Sequence, residues 1–531
     1  MKGMNKIMNN VKILDCTLRD GGYQNQWKFG QENEIKIVNS LIEANIDIVE
    51  CGLLVKGNYI KGNTKFSSLE DVKDVMPQNR EGKIFTCLMN YGDFDANSIS
   101  DYDGKTIEGI RVAFHKNNVN EALKACRTIK MKGYKVFIQP MVSLGYSDNE
   151  FLQLIQSANA IKPFAFYIVD SFGIMKRKDL IRLFYMVEHN LDKDIAIGVH
   201  LHNNLQLAYS NAQAVVDIPI NHSLIIDTSI MGMGRGAGNL NTELFIEYIN
   251  SNMGGNYKVK PILRVIDEVL NIFYNKCYWG YSLPNYLSAS YNAHPDYASF
   301  LVDKNTLTVE NMDDIFSMMD ENKKMKFDKD YMESLYFNYM SKDHYNEKNL
   351  SDFTNRLFGK KILLIAPGRS SEEEFEKIAR LASDNEVISI GVNFKYAHCE
   401  TDYIFLSNLR RFQEMSSEQK SKMITTSNIP EREGYLQLDY SDLLNEVEAV
   451  KDNAAMMLIN FLIKVGVNTI YLAGLDGYSH NMNENYAKEY LQLVTRKDIL
   501  DEMNEGMNFM LRKFSQRCDI SFVTKSKYLS I

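Results

Sequence analysis

Two histidines spaced two residues apart are the part of this sequence that most clearly points to chemistry. His200 and His202 lie in AIGVHLHNN, at the end of an apolar run. Side chains two apart on a strand project from the same face. Two neutral imidazoles and one carboxylate form an open divalent-metal site with room for water and substrate. Asp20, after the first apolar run, is the natural carboxylate. The alternative is that one histidine packs and the other hydrogen-bonds locally.

The elements that must position these residues repeat along the first half of the chain. Amphipathic stretches with helical spacing, such as 31–45 and 117–134, separate β-rich runs. Strands alternating with helices imply parallel pairing through right-handed crossovers. Eight such units predict an α/β fold, a (β/α)8 TIM barrel over residues 10–255. The alternative is an open doubly wound sheet with a second, smaller domain. The eight runs span 12–18, 47–53, 83–89, 109–114, 135–141, 165–171, 196–202 and 224–230.

Polar side chains stand at the ends of several predicted strands. Active sites of such barrels lie at the carboxyl ends of the strands. We therefore expect the polar residues to meet at one rim with the histidines, where they are candidates for substrate binding. They are Glu50, Gln139, Asp170 and Ser171.

Composition narrows the class of protein. The chain has 531 residues, 45% of them hydrophobic, and a formal net charge of −8. The acidic balance argues against a nucleic-acid partner, and no apolar run is long enough to span a membrane. The first residues lack the apolar stretch of a signal peptide. Seven cysteines without a CxxC pair indicate reduced thiols, so we expect a cytoplasmic protein, for which a homo-oligomer is one option.

Four motifs, in order, carry a family resemblance. LDCTLRDGG (14–22), VDSFG (169–173), HLHNN (200–204) and GMGRGAGN (232–239) resemble the DRE-TIM metallolyases, the HMG-CoA lyase-like barrels. The likeness is greatest to the 4-hydroxy-2-oxovalerate aldolase branch, including relatives found among sugar-biosynthesis proteins. It implies an aldolase that forms or cleaves a 4-hydroxy-2-oxo acid, with pyruvate and a sugar-like or other aldehyde as partners.

The resemblance also implies roles for individual residues. Asp20, His200 and His202 would hold Mn²⁺ or Mg²⁺, and Arg19 would contact the enolate oxygen. The chemistry is consistent, because a developing enolate needs a fixed cation and a guanidinium does not deprotonate. Ser171 would donate to the pyruvate carboxylate. The alternatives are an Arg19–Asp20 ion pair that only holds a loop and a Ser171 hydroxyl bonded to backbone.

One position departs from the family. The oxovalerate aldolases carry an acid/base histidine where this chain has Tyr23. A phenol with an ordinary pKa near 10 is a poor general base at neutral pH. Tyr23 is therefore a candidate proton relay or a wall of the aldehyde pocket. An acyl-CoA Claisen synthase or lyase on the same barrel is the alternative function, although this chain lacks the acidic residue of RDGEQ-like motifs.

Residues 256–350 are predicted to be a helical extension that covers the barrel mouth. The resemblance implies that such an extension lends a tyrosine to the site, and Tyr281 and Tyr286 are the candidates. The alternative for both is aromatic packing. The glycine-rich loop 231–239 ends the last barrel strand rather than opening a βαβ unit, so we expect an active-site wall and not a dinucleotide site.

Residues 355–531 are predicted to form a Rossmann-like α/β domain. The stretch 360–382 is an apolar strand, a small-residue turn and a helix, and helix starts suit anions. The domain weakly resembles sialyltransferase-like and pterin-pyrophosphokinase-like domains, which implies nucleotide or phosphosugar binding. The alternatives are a domain without a ligand, or a sugar- or nucleotide-processing protein that works mainly through this domain. The candidate ligand residues are Gly368, Arg369, Ser370 and Asp476.

Overall fold

The computed structural model divides into two compact units, residues 1–296 and 297–531. The predicted limits of the helical extension, 256 and 350, fall on either side of this division and remain predictions. The described residues are 11–304, 306–341, 347–413, 415, 422–429, 436–481, 484–488, 491 and 497–528.

The first unit is a closed barrel of eight parallel strands. The strands follow the order β1-β9-β8-β7-β6-β5-β4-β2, and β1 pairs with β2 to close the ring. A two-residue strand, β3, lies beside β2. The predicted TIM barrel is confirmed. Its strands are β1 Val11–Asp15, β2 Ile48–Leu54, β3 Lys65–Phe66, β4 Ile84–Asn90, β5 Gly109–Phe114, β6 Lys135–Pro140, β7 Ala165–Asp170, β8 Ala196–Leu201 and β9 Leu224–Thr228.

The α-helices of the chain follow the strands in the expected alternation, with two exceptions. The crossovers after β2 and β4 contain the short 3₁₀ turns Asp71–Val75 and Ala96–Ser98 in place of an α-helix. The α-helices are α1 Thr17–Asp20, α2 Gly22–Asn25, α3 Gln31–Glu43, α4 Val119–Met131, α5 Asp148–Ile161, α6 Arg177–Asn190, α7 Ala208–Val216, α8 Thr242–Met253, α9 Val259–Val265, α10 Asn271–Tyr274, α11 Leu283–Ser290, α12 Pro295–Asp303, α13 Val309–Ser317, α14 Lys329–Met340, α15 Glu347–Leu357, α16 Ser370–Glu373, α17 Phe375–Ala382, α18 Leu409–Gln413, α19 Ala454–Lys464 and α20 Lys497–Ser515.

Smaller helical segments complete the described secondary structure. A π-helical turn, Ile266–Leu270, joins α9 to α10. The remaining 3₁₀ turns are Lys116–Asn118, Ser143–Gly145, Ile230–Gly232, Glu321–Lys323, Ser441–Leu443 and Glu448–Val450.

The two-residue period of the strands sorts side chains between two cores. Alternate residues point outward and pack under the helices, as Ile110 and Val112 of β5 do. The others point into the barrel, where an apolar layer includes Phe137 and Tyr167. Towards the carboxyl ends of the strands the buried inward positions become polar. These positions are Glu50, Arg111, Gln139, His200 and Asp227.

Gly198 makes room for one of the large side chains inside the barrel. It pairs with Tyr167 in the β7–β8 register. A Cβ atom at position 198 would collide with the Tyr167 ring. The ring is fully buried, and its hydroxyl donates to Asp227 Oδ1 at 3.0 Å. The glycine therefore allows an aromatic ring to support the polar layer above it.

The second unit contains an open, all-parallel sheet. Its order is β14-β13-β12-β11-β10-β15-β16, so the strand sequence reverses direction between β10 and β15. This doubly wound topology confirms the predicted Rossmann-like domain. Among the described helices, none combines the length and apolar character needed to cross a lipid bilayer. The strands are β10 Lys361–Ile365, β11 Val387–Val392, β12 Tyr403–Leu406, β13 Met423–Thr426, β14 Leu436–Leu438, β15 Thr469–Ala473 and β16 Asp519–Phe522.

Replacing Gly198 with alanine should lower the free energy of unfolding of the barrel by about 1–3 kcal/mol, because the methyl group needs space that Tyr167 fills. Urea denaturation followed by tryptophan fluorescence measures this loss, since Trp27 and Trp279, the two tryptophans of the chain, both lie in the first unit. The control Gln156→Ala, on an exposed face of α5, should stay within about 0.5 kcal/mol of wild type. Unchanged stability of the Gly198 variant would contradict this packing.

Candidate functional site

Asp20, His200 and His202 lie together at the carboxyl ends of the barrel strands. One ligand atom of each can be chosen so that all three lie within 4.8 Å of one another, and all three residues are buried. The Nε2 atoms of His200 and His202 lie 3.8 and 3.2 Å from Asp20 Oδ2. Two ring nitrogens thus converge on one carboxylate oxygen.

The partners of the other ring nitrogens fix the tautomers. His202 Nδ1 lies 3.0 Å from the Asp170 carbonyl oxygen, so it must carry the proton that it donates. His200 Nδ1 lies 2.9 Å from Asp227 Oδ2 and donates in the same way. Burial lowers the pKa of His200, against the opposing effect of Asp227. With the proton on Nδ1, each ring presents its Nε2 lone pair to Asp20, an arrangement of acceptors that a cation would satisfy.

Asn239 belongs to the same cluster, although the sequence did not single it out. Its Nδ2 donates to Asp20 Oδ2 at 2.5 Å. Within the described part of the chain, its buried Oδ1 and His202 Nε2 have no hydrogen-bond partner. An amide oxygen is a suitable ligand for a hard divalent cation. One carboxylate, two imidazoles and one amide oxygen therefore fit a divalent metal. The only available signal was the place of Asn239 at the end of GMGRGAGN.

Arg19 lies directly beside this cluster. Its Nη1 is 2.7 Å from Asp20 Oδ1 and its Nε is 2.7 Å from Glu50 Oε2. Burial opposes ionisation of Asp20, but Arg19 together with His202 and His200 outweighs it and holds the pKa of Asp20 well below its ordinary value. The Arg19 pKa is raised by the two carboxylates in spite of burial. An ionised carboxylate and a fixed guanidinium therefore share the rim.

A second buried arginine supports the rim from inside the barrel. Arg111 Nη1 lies 2.9 Å from Glu50 Oε2, and Arg111 Nη2 pairs with Asp227 Oδ2. Gln139, with its amide oriented to satisfy both groups, accepts from Arg111 Nε at 2.8 Å. Burial opposes ionisation of Asp227, yet Arg111 and His200 lower its pKa. Arg111 and Asp227 are not among the site residues predicted from the sequence. The signal that the sequence offers for them is a charged residue at an inward-facing position of an otherwise apolar run.

Asp170 and Ser171 make local contacts. The Asp170 carboxylate accepts from the amides of Ile174 and Met175 at 3.0 and 3.1 Å. Burial raises its pKa to about 6. Ser171 Oγ accepts from the Val142 amide at 2.9 Å. In this structure both side chains hold rim loops in place.

Tyr23 lies at the mouth of the barrel. Its ring meets the edge of Trp27, with centroids 4.7 Å apart, and the Arg235 guanidinium lies 5.0 Å from its centroid. Burial raises the pKa of Tyr23, so the phenol is neutral at neutral pH. Tyr281 and Tyr286 are 55% and 43% exposed. The structure records no contact of these two rings with the cluster among the described residues.

The segment just before Tyr281 does touch the site loops. Trp279 Nε1 donates to the Met231 carbonyl at 3.0 Å. Cys277 Sγ lies 3.5 Å from Gln24 Oε1. The start of the predicted extension therefore packs against two loops of the barrel mouth.

The candidate residues of the second unit gather at the carboxyl ends of β10 and β15. The Ser370 amide and hydroxyl both donate to Asp476, the amide at 2.7 Å. The Gly368 amide donates to the Gly474 carbonyl at 2.9 Å. Arg369 instead pairs with Glu373 on an exposed surface. The Ser370 amide, which lies at the helix start that was expected to suit an anion, is thus bonded to the Asp476 carboxylate.

A cavity of about 190 Å³ opens beside these residues. It lies at the carboxyl ends of the central strands, where the strand order reverses. Burial raises the pKa of the three tyrosines that line it, so their phenols are neutral. The wall combines these rings with amide and charged groups, including Asn393, Asn408, Arg411, Asp476, Tyr478, Tyr486 and Tyr528.

Replacing Asp227 with asparagine should weaken Mn²⁺ binding about 10- to 100-fold, because the carboxylate orients His200 and raises its basicity. Isothermal titration calorimetry measures this change. Tyr167→Phe removes the tyrosine hydrogen bond to Asp227 but leaves the histidine and arginine contacts, and should have a smaller effect. Equal Mn²⁺ affinity of the Asp227 variant and the wild type would contradict this role.

The first half of the chain is similar to known proteins. The family model described as HMGL-like matches residues 10–267. A 4-hydroxy-2-oxovalerate aldolase of Geobacillus genomosp. 3 is 28% identical over 247 residues, covering 46% of this chain and 71% of the relative. Another protein of that name, from Pseudoalteromonas translucida, is 24% identical over 288 residues, covering 51% and 81%.

Solved structures are similar as well. The N-terminal domain of a proposed aldolase from Bacteroides vulgatus is 28% identical with a TM-score of 0.48, covering 55% of this chain and 96% of that one. The hydroxymethylglutaryl-CoA lyase of Pseudomonas aeruginosa is 15% identical with a TM-score of 0.41, covering 50% and 92%. Residues 10–267 of this chain are therefore an HMGL-like domain by their match to the family model, in line with the resemblance to the DRE-TIM metallolyases.

Proposed function

We propose that the barrel is a divalent-metal-dependent aldolase that forms or cleaves a 4-hydroxy-2-oxo acid, with pyruvate and an aldehyde as the other side of the reaction. The observation that carries the proposal is the convergence of His200 Nε2 and His202 Nε2 on Asp20 Oδ2, with Arg19 beside it. The names of the aldolase relatives support the reaction class.

Asp20, His200 and His202 would hold Mn²⁺ or Mg²⁺, with the Asn239 amide oxygen as a further donor. A divalent cation in this place supplies Lewis acidity to the oxygens of a 2-oxo acid. Because both Nδ1 atoms already have hydrogen-bond acceptors, the two rings are oriented before any ligand arrives. The protein therefore contributes a preorganised donor set rather than one assembled on binding.

Arg19 stabilises the charge that develops on the enolate oxygen. Its side chain is buried and held by Glu50 on one side and Asp20 on the other, so the guanidinium is fixed in direction. Fixed donors act without reorganisation during the reaction, and removing one such group commonly costs about 2.7–4 kcal/mol of barrier. We assign Glu50 and Gln139 to positioning Arg19 and Arg111 rather than to substrate contact.

Ser171 and Tyr23 are the proposed contacts to the organic substrate. The Ser171 hydroxyl accepts one backbone hydrogen bond, which leaves its own proton for the pyruvate carboxylate. Tyr23 carries a neutral phenol at the barrel mouth, so it donates a hydrogen bond or relays a proton at the aldehyde oxygen. Asp170 positions His202 through its backbone carbonyl.

Removal of the metal tests this proposal. Pyruvate release from 4-hydroxy-2-oxopentanoate should disappear after chelation and return with Mn²⁺, since the charge that offsets the enolate is then restored. Asp20→Asn should lower the rate at least about 100-fold even with Mn²⁺. The control Asp192→Asn changes an exposed loop carboxylate and should retain wild-type activity. Unchanged pyruvate release by the Asp20 variant would refute the metal centre.

For residues 355–531 we propose a domain that binds a nucleotide or phosphosugar. Open parallel sheets bind ligands outside the carboxyl ends of the strands where strand order reverses. The cavity at the β10–β15 reversal supports this proposal, since tyrosine rings, side-chain amides and the charged Arg411 and Asp476 line it.

A substitution that fills the cavity tests the second domain. Ala454 lies in its wall at the start of α19, so Ala454→Phe should block the cavity and weaken binding at least about tenfold. The probes are uridine 5′-monophosphate and glucose 6-phosphate, titrated by calorimetry into the full chain. The control is Ala379→Phe, because Ala379 is a half-buried residue of α17 that does not line the cavity. Failure of both probes to bind the wild type would contradict the proposal.

A further inference from the structure

One wall of the metal cluster is formed by a glycine followed by an arginine. A Cβ atom on Gly234 would lie 3.1 Å from Asp20 Oδ2 and would collide with the Asn239 amide. The Gly234 carbonyl accepts from Gln24 Nε2 at 2.5 Å, which ties this loop to the residues after Tyr23. The backbone of Arg235 is therefore held next to the cluster.

The Arg235 side chain extends from this wall to the mouth of the barrel. Its guanidinium lies 5.0 Å from the Tyr23 ring centroid. It also faces Asp296, with Nη2–Oδ2 at 2.8 Å and Nε–Oδ1 at 3.3 Å. The Arg235 and Asp296 side chains are 27% and 42% exposed, so water reaches both. Among the described residues, Arg235 Nη1 has no protein acceptor.

His294 and Phe172 lie on the other side of Asp296 from Arg235 in the contact network. The Asp296 amide donates to His294 Nδ1 at 3.3 Å, and the His294 ring packs on Phe172, which follows Ser171. Burial lowers the pKa of His294 to about 4, so the ring is uncharged at neutral pH. The positive charge of Arg235 is matched by Asp296. The mouth therefore offers donors and acceptors side by side without a net charge.

This pattern discriminates between classes of aldehyde. A negatively charged aldehyde would have to displace Asp296 from Arg235 or lie against its carboxylate. An alkyl aldehyde would remove water from the pair and return no hydrogen bond, which carries a desolvation cost. An uncharged chain with hydroxyl groups both donates to the carboxylate and accepts from the guanidinium, and so replaces the water that it displaces.

We propose that Arg235 and Asp296 are specificity-determining residues that select an uncharged, hydroxylated aldehyde as the partner of pyruvate. This inference rests on the proposed aldolase function of the barrel. Arg19, Asp20 and the two histidines act on the pyruvate half, and the Arg235–Asp296 pair binds the hydroxyl groups beyond the aldehyde carbon. Tyr23 lies between the two, against the Arg235 guanidinium.

A hydroxylated aldehyde and an alkyl aldehyde of equal carbon length, together with an anionic aldehyde, separate this role from a structural one. Aldol addition to pyruvate with Mn²⁺ is measured with glyceraldehyde, propanal and the anionic succinic semialdehyde. The wild type should show the highest kcat/KM with glyceraldehyde. Arg235→Met and Asp296→Asn should each lower that value about 10- to 100-fold and change the propanal value little, because only hydroxyl contacts are lost. Arg235→Lys should retain part of the preference.

The matched control is a second arginine–carboxylate pair in the same unit. Arg264 Nη1 lies 3.0 Å from Glu43 Oε2, with both side chains about half exposed. Arg264→Met should leave all three kcat/KM values at the wild-type level. Exchange of the pyruvate methyl protons in D₂O, followed by NMR without any aldehyde, reports on the metal cluster alone and should continue in the Arg235 and Asp296 variants.

The outcomes separate the two proposals. If methyl exchange continues but the variants lose kcat/KM equally for glyceraldehyde and propanal, the specificity role is overturned and the aldolase function stands. The same holds if methyl exchange continues but the wild type prefers propanal or succinic semialdehyde. Absence of methyl exchange in the Mn²⁺-loaded wild type overturns the aldolase function, and the specificity role with it. Loss of the glyceraldehyde preference in both variants, with exchange intact, supports the inference.

Discussion

The rim chemistry depends on one charge that has no access to solvent. Arg111 is fully buried inside the barrel, where an unpaired charge would be strongly destabilising. Glu50 and Asp227 balance it, and each of these carboxylates also holds a residue of the rim: Glu50 holds Arg19, and Asp227 holds His200. A single guanidinium therefore couples Arg19 to the His200 imidazole, so neither can shift alone.

The charges of the same network favour the cation proposed for this rim. Arg19 and Arg111 supply two positive charges, whereas Asp20, Glu50 and Asp227 supply three negative ones. One negative charge is left over, and it lies where two imidazole lone pairs also point. In a medium of low dielectric constant such an excess is costly until a positive ion offsets it. The proposed metal affinity would thus be a property of the whole network.

The barrel and the Asp20–His200–His202 cluster could be predicted because they follow from local rules: strand–helix alternation, the two-residue strand period and the polar ends of strands. The roles of Arg111, Asp227 and Asn239 could not, since they depend on which residues of distant strands face each other in the closed ring. For the same reason the sequence indicates Glu50 and Gln139 as candidates for substrate binding but not their contacts with Arg19 and Arg111. The two crossovers without α-helices depend on how their loops pack, and loop packing leaves no periodic pattern in the sequence.

Those two crossovers make the outer layer of the barrel uneven. Around β4, the outward side chains Phe85, Cys87 and Met89 are fully buried although the adjoining crossovers contain only short turns. Irregular segments accept insertions and deletions more readily than helices, because the entropy of closing a loop grows slowly with its length. This sector is therefore where evolution can lengthen or shorten the chain while the rim keeps its chemistry, and where descendants of the same barrel are free to diverge in size.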